Sequence, residues 1–266
     1  MTRSAGRKSI FITGAASGMG RETALLFAQE GWFVGAYDLN PAALATLEDE
    51  IGAANGVFAV LDVTDRDGFA EAVATFGEAT GGTLDLLFNN AGIAVGGMLD
   101  DQPWEDIARI VEINLMGVVI GTRAALPLLR ATPGSLCLNT SSSSAIFGTA
   151  GIAMYSATKH AVRGLTEALS IEFKRYGVRA SDLLPGLIDT PLLSETMRAM
   201  APAEGMWRLV KPREVAETVL AAYRSDQLHW YVPTELRDFH KQVVAEPEIV
   251  REERTALLAA LANGAN

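Results

Sequence analysis

Short apolar runs alternate along the chain with longer amphipathic stretches. Ser9-Ile10-Phe11-Ile12-Thr13 is the first run, and a helical pattern follows from Arg21 to Glu30. Similar runs near 32–38, 56–61, 85–89, 135–140, 178–184 and 229–233 predict strands, with amphipathic segments between them. Strands apolar on both faces need cover on both faces. The pattern predicts an α/β fold, a doubly wound parallel sheet of about seven strands with helices on each side. Residues 1–234 read as one domain, and 235–266 as a helical tail packed on the body or on a partner subunit.

The first strand runs into Thr13-Gly14-Ala15-Ala16-Ser17-Gly18-Met19-Gly20. A strand, a glycine turn and then a helix form a dinucleotide site: glycines admit the pyrophosphate and the helix N-terminus supplies N–H groups. The second strand ends at Asp38, 18 residues after Gly20 (38−20). A carboxylate there accepts hydrogen bonds from a ribose and repels a ribose phosphate. Leu39 and Asn40 bring no cation, so the expected cofactor is NAD(H) rather than NADP(H). Asn40 before Pro41 fits a helix N-cap, which leaves Asp38 free.

Tyr155 and Lys159 stand one helical turn apart and point the same way. A phenol beside an ammonium is a proton-transfer device, because positive charge favours phenolate. Asn114 lies inside an apolar helical stretch, where it needs a partner or caps a kink. Ser141 to Ser144 follow the strand near 135–140. Alternation puts Ser142 and Ser144 on one face, and Ser141 and Ser143 on the other.

Taken together these motifs resemble the short-chain dehydrogenase/reductase family from about Ser9 to about Tyr223. The glycine turn resembles Thr-Gly-x-x-x-Gly-x-Gly, and Tyr155 with Lys159 resembles Tyr-x-x-x-Lys. Asp62-Val63 resembles the segment with the adenine-side acidic residue, and Asn89-Asn90-Ala91-Gly92 the turn after the fourth strand. Asn114 resembles the helix-interior asparagine, and Pro185-Gly186-Leu187-Ile188-Asp189-Thr190 the Pro-Gly-x-x-x-Thr segment beside the nicotinamide.

The resemblance implies a Rossmann fold and interconversion of a secondary alcohol and a ketone. Tyr155 would be the acid/base, Lys159 would hold the ribose and lower the phenol pKa, and Asn114 would carry a proton-relay water. The family serine stands 13 residues before the tyrosine, which selects Ser142, with Ser144 as alternative. Gly14, Ser17, Gly18, Met19, Gly20, Asp38, Leu39, Asp62, Val63, Asn90, Ala91, Gly92, Pro185, Gly186, Ile188 and Thr190 would line the cofactor with Tyr155 and Lys159. The alternatives are an epimerase or dehydratase, which the glycine spacing disfavours, and a non-catalytic NAD-binding regulator. A regulator would be expected to have lost a catalytic residue, and all four are present.

Net charge is −10 at pI 4.9, which argues against nucleic acid or anionic membrane. The absence of a leader pattern or an apolar run of 18 predicts a cytoplasmic protein. One cysteine, Cys137, excludes an internal disulfide, and His160, His229 and His240 lack ligand spacing, so no metal is expected. Residues 191–212 read as a substrate lid; Leu192, Leu193, Met197, Met200, Met206 and Trp207 predict a hydrophobic or bulky substrate. Ile146, Phe147 and Val95 are candidate apolar walls. His229 to Pro233 lacks the family's glycine-rich C-terminal close, so a homodimer or a homotetramer is open.

Overall fold

The computed structural model describes residues 6–264; residues 1–5 and 265–266, at the ends of the two predicted regions, lie outside the described residues. In chain order the elements are β1 (Ser9–Thr13), α1 (Gly18–Gln29), β2 (Phe33–Asp38), α2 (Pro41–Ile51), β3 (Gly56–Val60), α3 (Arg66–Thr80) and β4 (Leu86–Asn89). Then come α4 (Trp104–Val111), a π-helical turn (Glu112–Met116), α5 (Gly117–Arg130), β5 (Leu136–Thr140), α6 (Ala153–Glu172) and β6 (Arg179–Pro185). The chain continues through α7 (Glu195–Met200), α8 (Pro212–Tyr223), β7 (His229–Val232), α9 (Leu236–Ala245) and α10 (Pro247–Gly264). Each predicted strand is present within a residue or so of its expected bounds.

The strands pair in parallel in the order β3-β2-β1-β4-β5-β6-β7. Successive side chains leave opposite faces. Ile10 and Ile12 therefore join Phe27, Val215 and Val219 of α1 and α8, while Phe11 joins Phe69, Phe76 and Leu129 of α3 and α5. Burying each such side chain fully is worth roughly 1.5–3 kcal/mol, which explains why the strands read as unbroken apolar runs.

Local polar groups set the helix starts. Asn40 Oδ1 accepts the Ala43 N–H at 3.1 Å ahead of Pro41, as expected of an N-cap. Asp65 accepts the N–H groups of Asp67 and Gly68, both at 3.1 Å. The order of strands reverses between β1 and β4, so their following loops part and leave a crevice at the carboxyl ends.

The continuous helix Trp104–Arg130 is long and apolar enough to cross a membrane by length and composition alone. Its apolar face is a core face, with Ile110, Val118, Ile120, Ala125 and Leu129 buried. A helix covering a parallel sheet meets the same compositional test as a membrane span.

Candidate active site

β1 delivers Thr13 to the crevice, with its hydroxyl buried. That oxygen accepts the N–H groups of Asn90 at 3.0 Å and Ala91 at 3.1 Å. Asn90 Nδ2 donates back to the carbonyls of Thr13 and Gly14 at 3.0 and 3.2 Å. The loops after β1 and β4 are thus tied across the reversal point. Gly14 has φ +66°, and a Cβ there would stand 2.9 Å from Ala91 Cα. A Cβ on Gly20 would stand 2.1 Å from the Gly14 carbonyl oxygen. One on Gly18 would meet Thr190 Cγ2 at 2.8 Å, so the Pro-Gly segment closes against the glycine turn.

A cavity of about 630 Å³ runs along these loops. Gly14, Ser17, Gly18, Met19, Asp38, Leu39, Asp62, Val63, Asn90, Ala91, Gly92 and Thr190 line it. Gly20 sits beneath it against Gly14. Pro185, Gly186 and Ile188 are not among its lining residues: Gly186 donates to the Val232 carbonyl at 2.7 Å, and Ile188 is buried against Val210. These three shape the segment that presents Thr190.

Asp38 is not free. One carboxylate oxygen accepts the Ala16 N–H at 3.0 Å and the other the Asn40 N–H at 3.1 Å. The acid therefore also finishes the glycine turn, and each oxygen keeps a lone pair for a further donor. Asp62 is similarly held, accepting from the Thr64 N–H and hydroxyl at 2.9 and 2.7 Å. The glycine cradle, the start of α1 and apolar Leu39, Leu61 and Val63 fit a dinucleotide. Asn90 Oδ1, buried and without a hydrogen-bond partner among the described residues, adds an acceptor at the same place.

α6 brings Tyr155 and Lys159 to the end of β5. Lys159 is 3% exposed, and its Nζ donates to the Thr140 carbonyl at 2.8 Å. The same nitrogen lies 5.6 Å from the Tyr155 ring centroid. Ser142 lies near enough to the Tyr155 hydroxyl to lower its pKa, and its Oγ accepts the Ser144 N–H at 3.1 Å. Ser141 points away and donates to the Lys159 carbonyl at 2.9 Å, anchoring the strand end to α6. Ser144 Oγ is buried with no hydrogen-bond partner among the described residues. Of the two serines left open by alternation, Ser142 is the one that bears on the Tyr155 pKa.

Asn114 lies within the π-helical turn. Its Oδ1 accepts the Ile93 N–H at 2.8 Å and its Nδ2 donates to the Ile93 carbonyl at 2.9 Å. The polar residue inside the helix is satisfied by clamping the loop after β4, at a local widening of the helix. A Cβ on Gly92 would stand 3.1 Å from Asn114 Oδ1 and 3.6 Å from Lys159 Nζ. Asn114 and Lys159 thus reach the edge of the cavity at Gly92, although neither they nor Ser142 and Tyr155 are among its lining residues.

The electrostatics depart from the sequence reading. Burial raises the Tyr155 pKa, and the nearby Ser142 hydroxyl opposes it. Tyr155 as a residue is half-buried. Burial also pushes Lys159 down to about 8, since an ammonium this far from water is costly. The chain's own atoms favour the neutral phenol.

Arg109, Glu112 and Ile113 also line the cavity, with Leu61, Thr64, Ile93, Pro191 and Leu192. Nothing in the local sequence marks Arg109 or Glu112, because the packing of α4 beside the loop after β4 puts them there. In the predicted lid, Arg198 of α7 pairs with Asp189 and donates to the Thr190 carbonyl at 3.1 Å, while Leu192, Met197 and Met200 stay exposed. Ile146, expected as a substrate wall, is buried in a cluster with Leu184, Tyr231 and Phe239, and Phe147 packs against that cluster.

Comparison with known proteins agrees with this fold. The family model described as short chain dehydrogenase matches residues 8–201. A cyclohexanol dehydrogenase from an Acinetobacter species is 36% identical over 82% of this chain and 88% of its own length. A cyclopentanol dehydrogenase from a Comamonas species is 34% identical over 80% of this chain and 88% of its own. A short chain dehydrogenase/reductase from Burkholderia phymatum, solved in complex with NAD, superposes with a TM-score of 0.80 at 26% identity, covering 91% of this chain and 95% of that one. A glycine-turn crevice beside a Ser142–Tyr155–Lys159 cluster, on a fold and a sequence matched over most of their length, places this chain in the short chain dehydrogenase family.

Proposed function

We propose that the protein is an NAD(H)-dependent dehydrogenase that interconverts a hydrophobic, cyclic secondary alcohol and its ketone. The observation that carries this reading is the buried Lys159 Nζ, 5.6 Å from the Tyr155 ring on α6 and next to Gly92 of the dinucleotide crevice, with Ser142 at the end of β5 beside the phenol. The printed activities of the cyclohexanol and cyclopentanol dehydrogenases support the substrate class. NAD, when bound, supplies the hydride acceptor and a positively charged ring. Ser142 holds the substrate oxygen. Tyr155 takes the hydroxyl proton in oxidation and returns it in reduction. Lys159 orients the ribose and adds positive charge near the phenol. Asn114 fixes the Ile93 backbone that borders the reacting site. A regulatory NAD-binding role is disfavoured, because such a protein has no need for a complete Ser142–Tyr155–Lys159 set.

Purified protein should reduce NAD⁺ with cyclohexanol or cyclopentanol and oxidise NADH with the matching ketones, followed by the absorbance of the reduced nicotinamide. Failure across a panel of secondary alcohols and ketones would reject the reading. NAD(H) should give the higher kcat/KM, because Asp38 repels a ribose phosphate while Leu39, 61% exposed, offers no cation. Asp38→Ala with Leu39→Arg should narrow the difference. Equal or better use of NADP(H) by the unmodified enzyme would remove Asp38 as the determinant.

A further inference from the structure

Behind the serine turn lies a partly buried polar cluster that the proposed reaction does not use. Arg163, two turns beyond Tyr155 on α6, is its centre. Its Nε donates to Glu167 Oε1 at 3.1 Å and its Nη1 to the Ala145 carbonyl at 3.3 Å. Its Nη2 reaches His240 Nε2 of α9 at 3.2 Å. Arginine has no acceptor, so His240 Nε2 must accept, and Nδ1 then carries the proton toward the Tyr231 hydroxyl at 2.7 Å. On the far side His229 meets Asp182 Oδ1 at 2.7 Å and Glu167 at 3.5 Å. Burial first, then the charges of Arg163 and His229, hold His240 below its usual pKa, which keeps Nε2 an acceptor.

Ala145 belongs to the turn that Ser142 opens: its N–H donates to the Ser142 carbonyl at 2.9 Å. The guanidinium therefore grips the serine turn from behind, and α9 holds the guanidinium. The residue before His240 reinforces the grip. Phe239 is buried with Ile146, the next residue in the turn, and its ring lies edge-on to Trp207 at 5.3 Å. Arg254 of α10 lies 4.5 Å from the Trp207 ring centroid and 5.2 Å from that of Phe239.

We propose that α9 is a positioning element for the catalytic serine, with His240 acting through Arg163 on the Ala145 carbonyl. The catalytic half of this statement rests on the function proposed above; the mechanical half does not. His240→Leu keeps bulk and loses the acceptor, whereas His240→Gln keeps an acceptor where Nε2 stands. Amide hydrogen exchange read by mass spectrometry is the mechanical test. In His240→Leu, exchange across residues 142–147 should rise roughly 10-fold, while the loops after β1 and β4 keep wild-type exchange. With cyclohexanol and NAD⁺, kcat should fall roughly 10-fold at unchanged NADH affinity, since a displaced turn misplaces the serine but leaves the crevice intact. His240→Gln should recover both. Wild-type exchange in His240→Leu would overturn the proposal. So would raised exchange with undiminished kcat, or a His240→Gln variant that behaves like His240→Leu. If the unmodified protein turns over no alcohol, the function reading fails, and the exchange result still decides whether α9 holds the turn.

Discussion

Replacing Tyr155 with Phe is expected to lower kcat for alcohol oxidation by at least ~10²–10⁴, the usual worth of a positioned acid/base. The substitution removes one oxygen and keeps the ring, so packing on α6 survives. Among the described residues the phenol makes no hydrogen bond to the glycine turn, so NAD(H) affinity should stay near wild type. The pH profile carries the second half of this test. Burial holds the Tyr155 pKa up, so the proton-donating form prevails at neutral pH and favours reduction. Oxidation needs phenolate and should rise with pH, while reduction should fall over the same range. Lys159 is pushed down to about 8, so its charge fades as that value is passed. Lys159→Met removes the charge altogether and should move the oxidation limb to higher pH. The measurement is kcat/KM against pH in both directions for wild type and both variants, with NADH affinity determined separately. Turnover by Tyr155→Phe within a few-fold of wild type would overthrow the assignment.

Gly20→Ala is expected to abolish tight cofactor binding and to destabilise the fold. The new methyl would stand 2.1 Å from the Gly14 carbonyl oxygen and 2.8 Å from Asn90 Nδ2. Neither can retreat easily, because Asn90 Nδ2 already donates to the Thr13 and Gly14 carbonyls that tie the two loops. Overpacking of this kind costs about 1–3 kcal/mol. Each 1.4 kcal/mol that falls on the bound state is a factor of about 10 in affinity. Gly31→Ala is the control: its φ is +80°, yet nothing lies within 4 Å of the new methyl. It should cost about 1 kcal/mol of stability through backbone strain alone and leave NADH affinity unchanged. Calorimetric melting and NADH titration separate the two outcomes. Equal NADH affinity for Gly20→Ala and wild type would show that the turn can open without consequence.

Much of the site was legible before folding because its groups are local. Tyr155 and Lys159 share one helix face, and Gly14 to Gly20 form one turn, so spacing alone brings each set together. Asn40 was readable as a cap because its acceptor serves an N–H three residues away. Asn114 was readable as a polar group needing a partner, but the partner, the Ile93 backbone 21 positions earlier, was not. Arg109 and Glu112 carried no local mark, since only the docking of α4 beside the crevice gives them a role.

By itself the sequence determined the strand runs, the parallel α/β class, the glycine turn and the Tyr155–Lys159 pair, all set by periodicities of two to four residues. Tertiary structure alone decided how far burial counts. It holds the phenol neutral against the nearby ammonium, draws Asp38 into the turn it was expected to stand clear of, and makes Ile146 a core residue. It also decided that His240, nearly a hundred positions beyond Ser142, is joined through Arg163 to the serine turn. The physical reason is the range of each effect. Backbone geometry and side-chain direction are local, whereas desolvation and hydrogen-bond partners depend on which distant segments pack together.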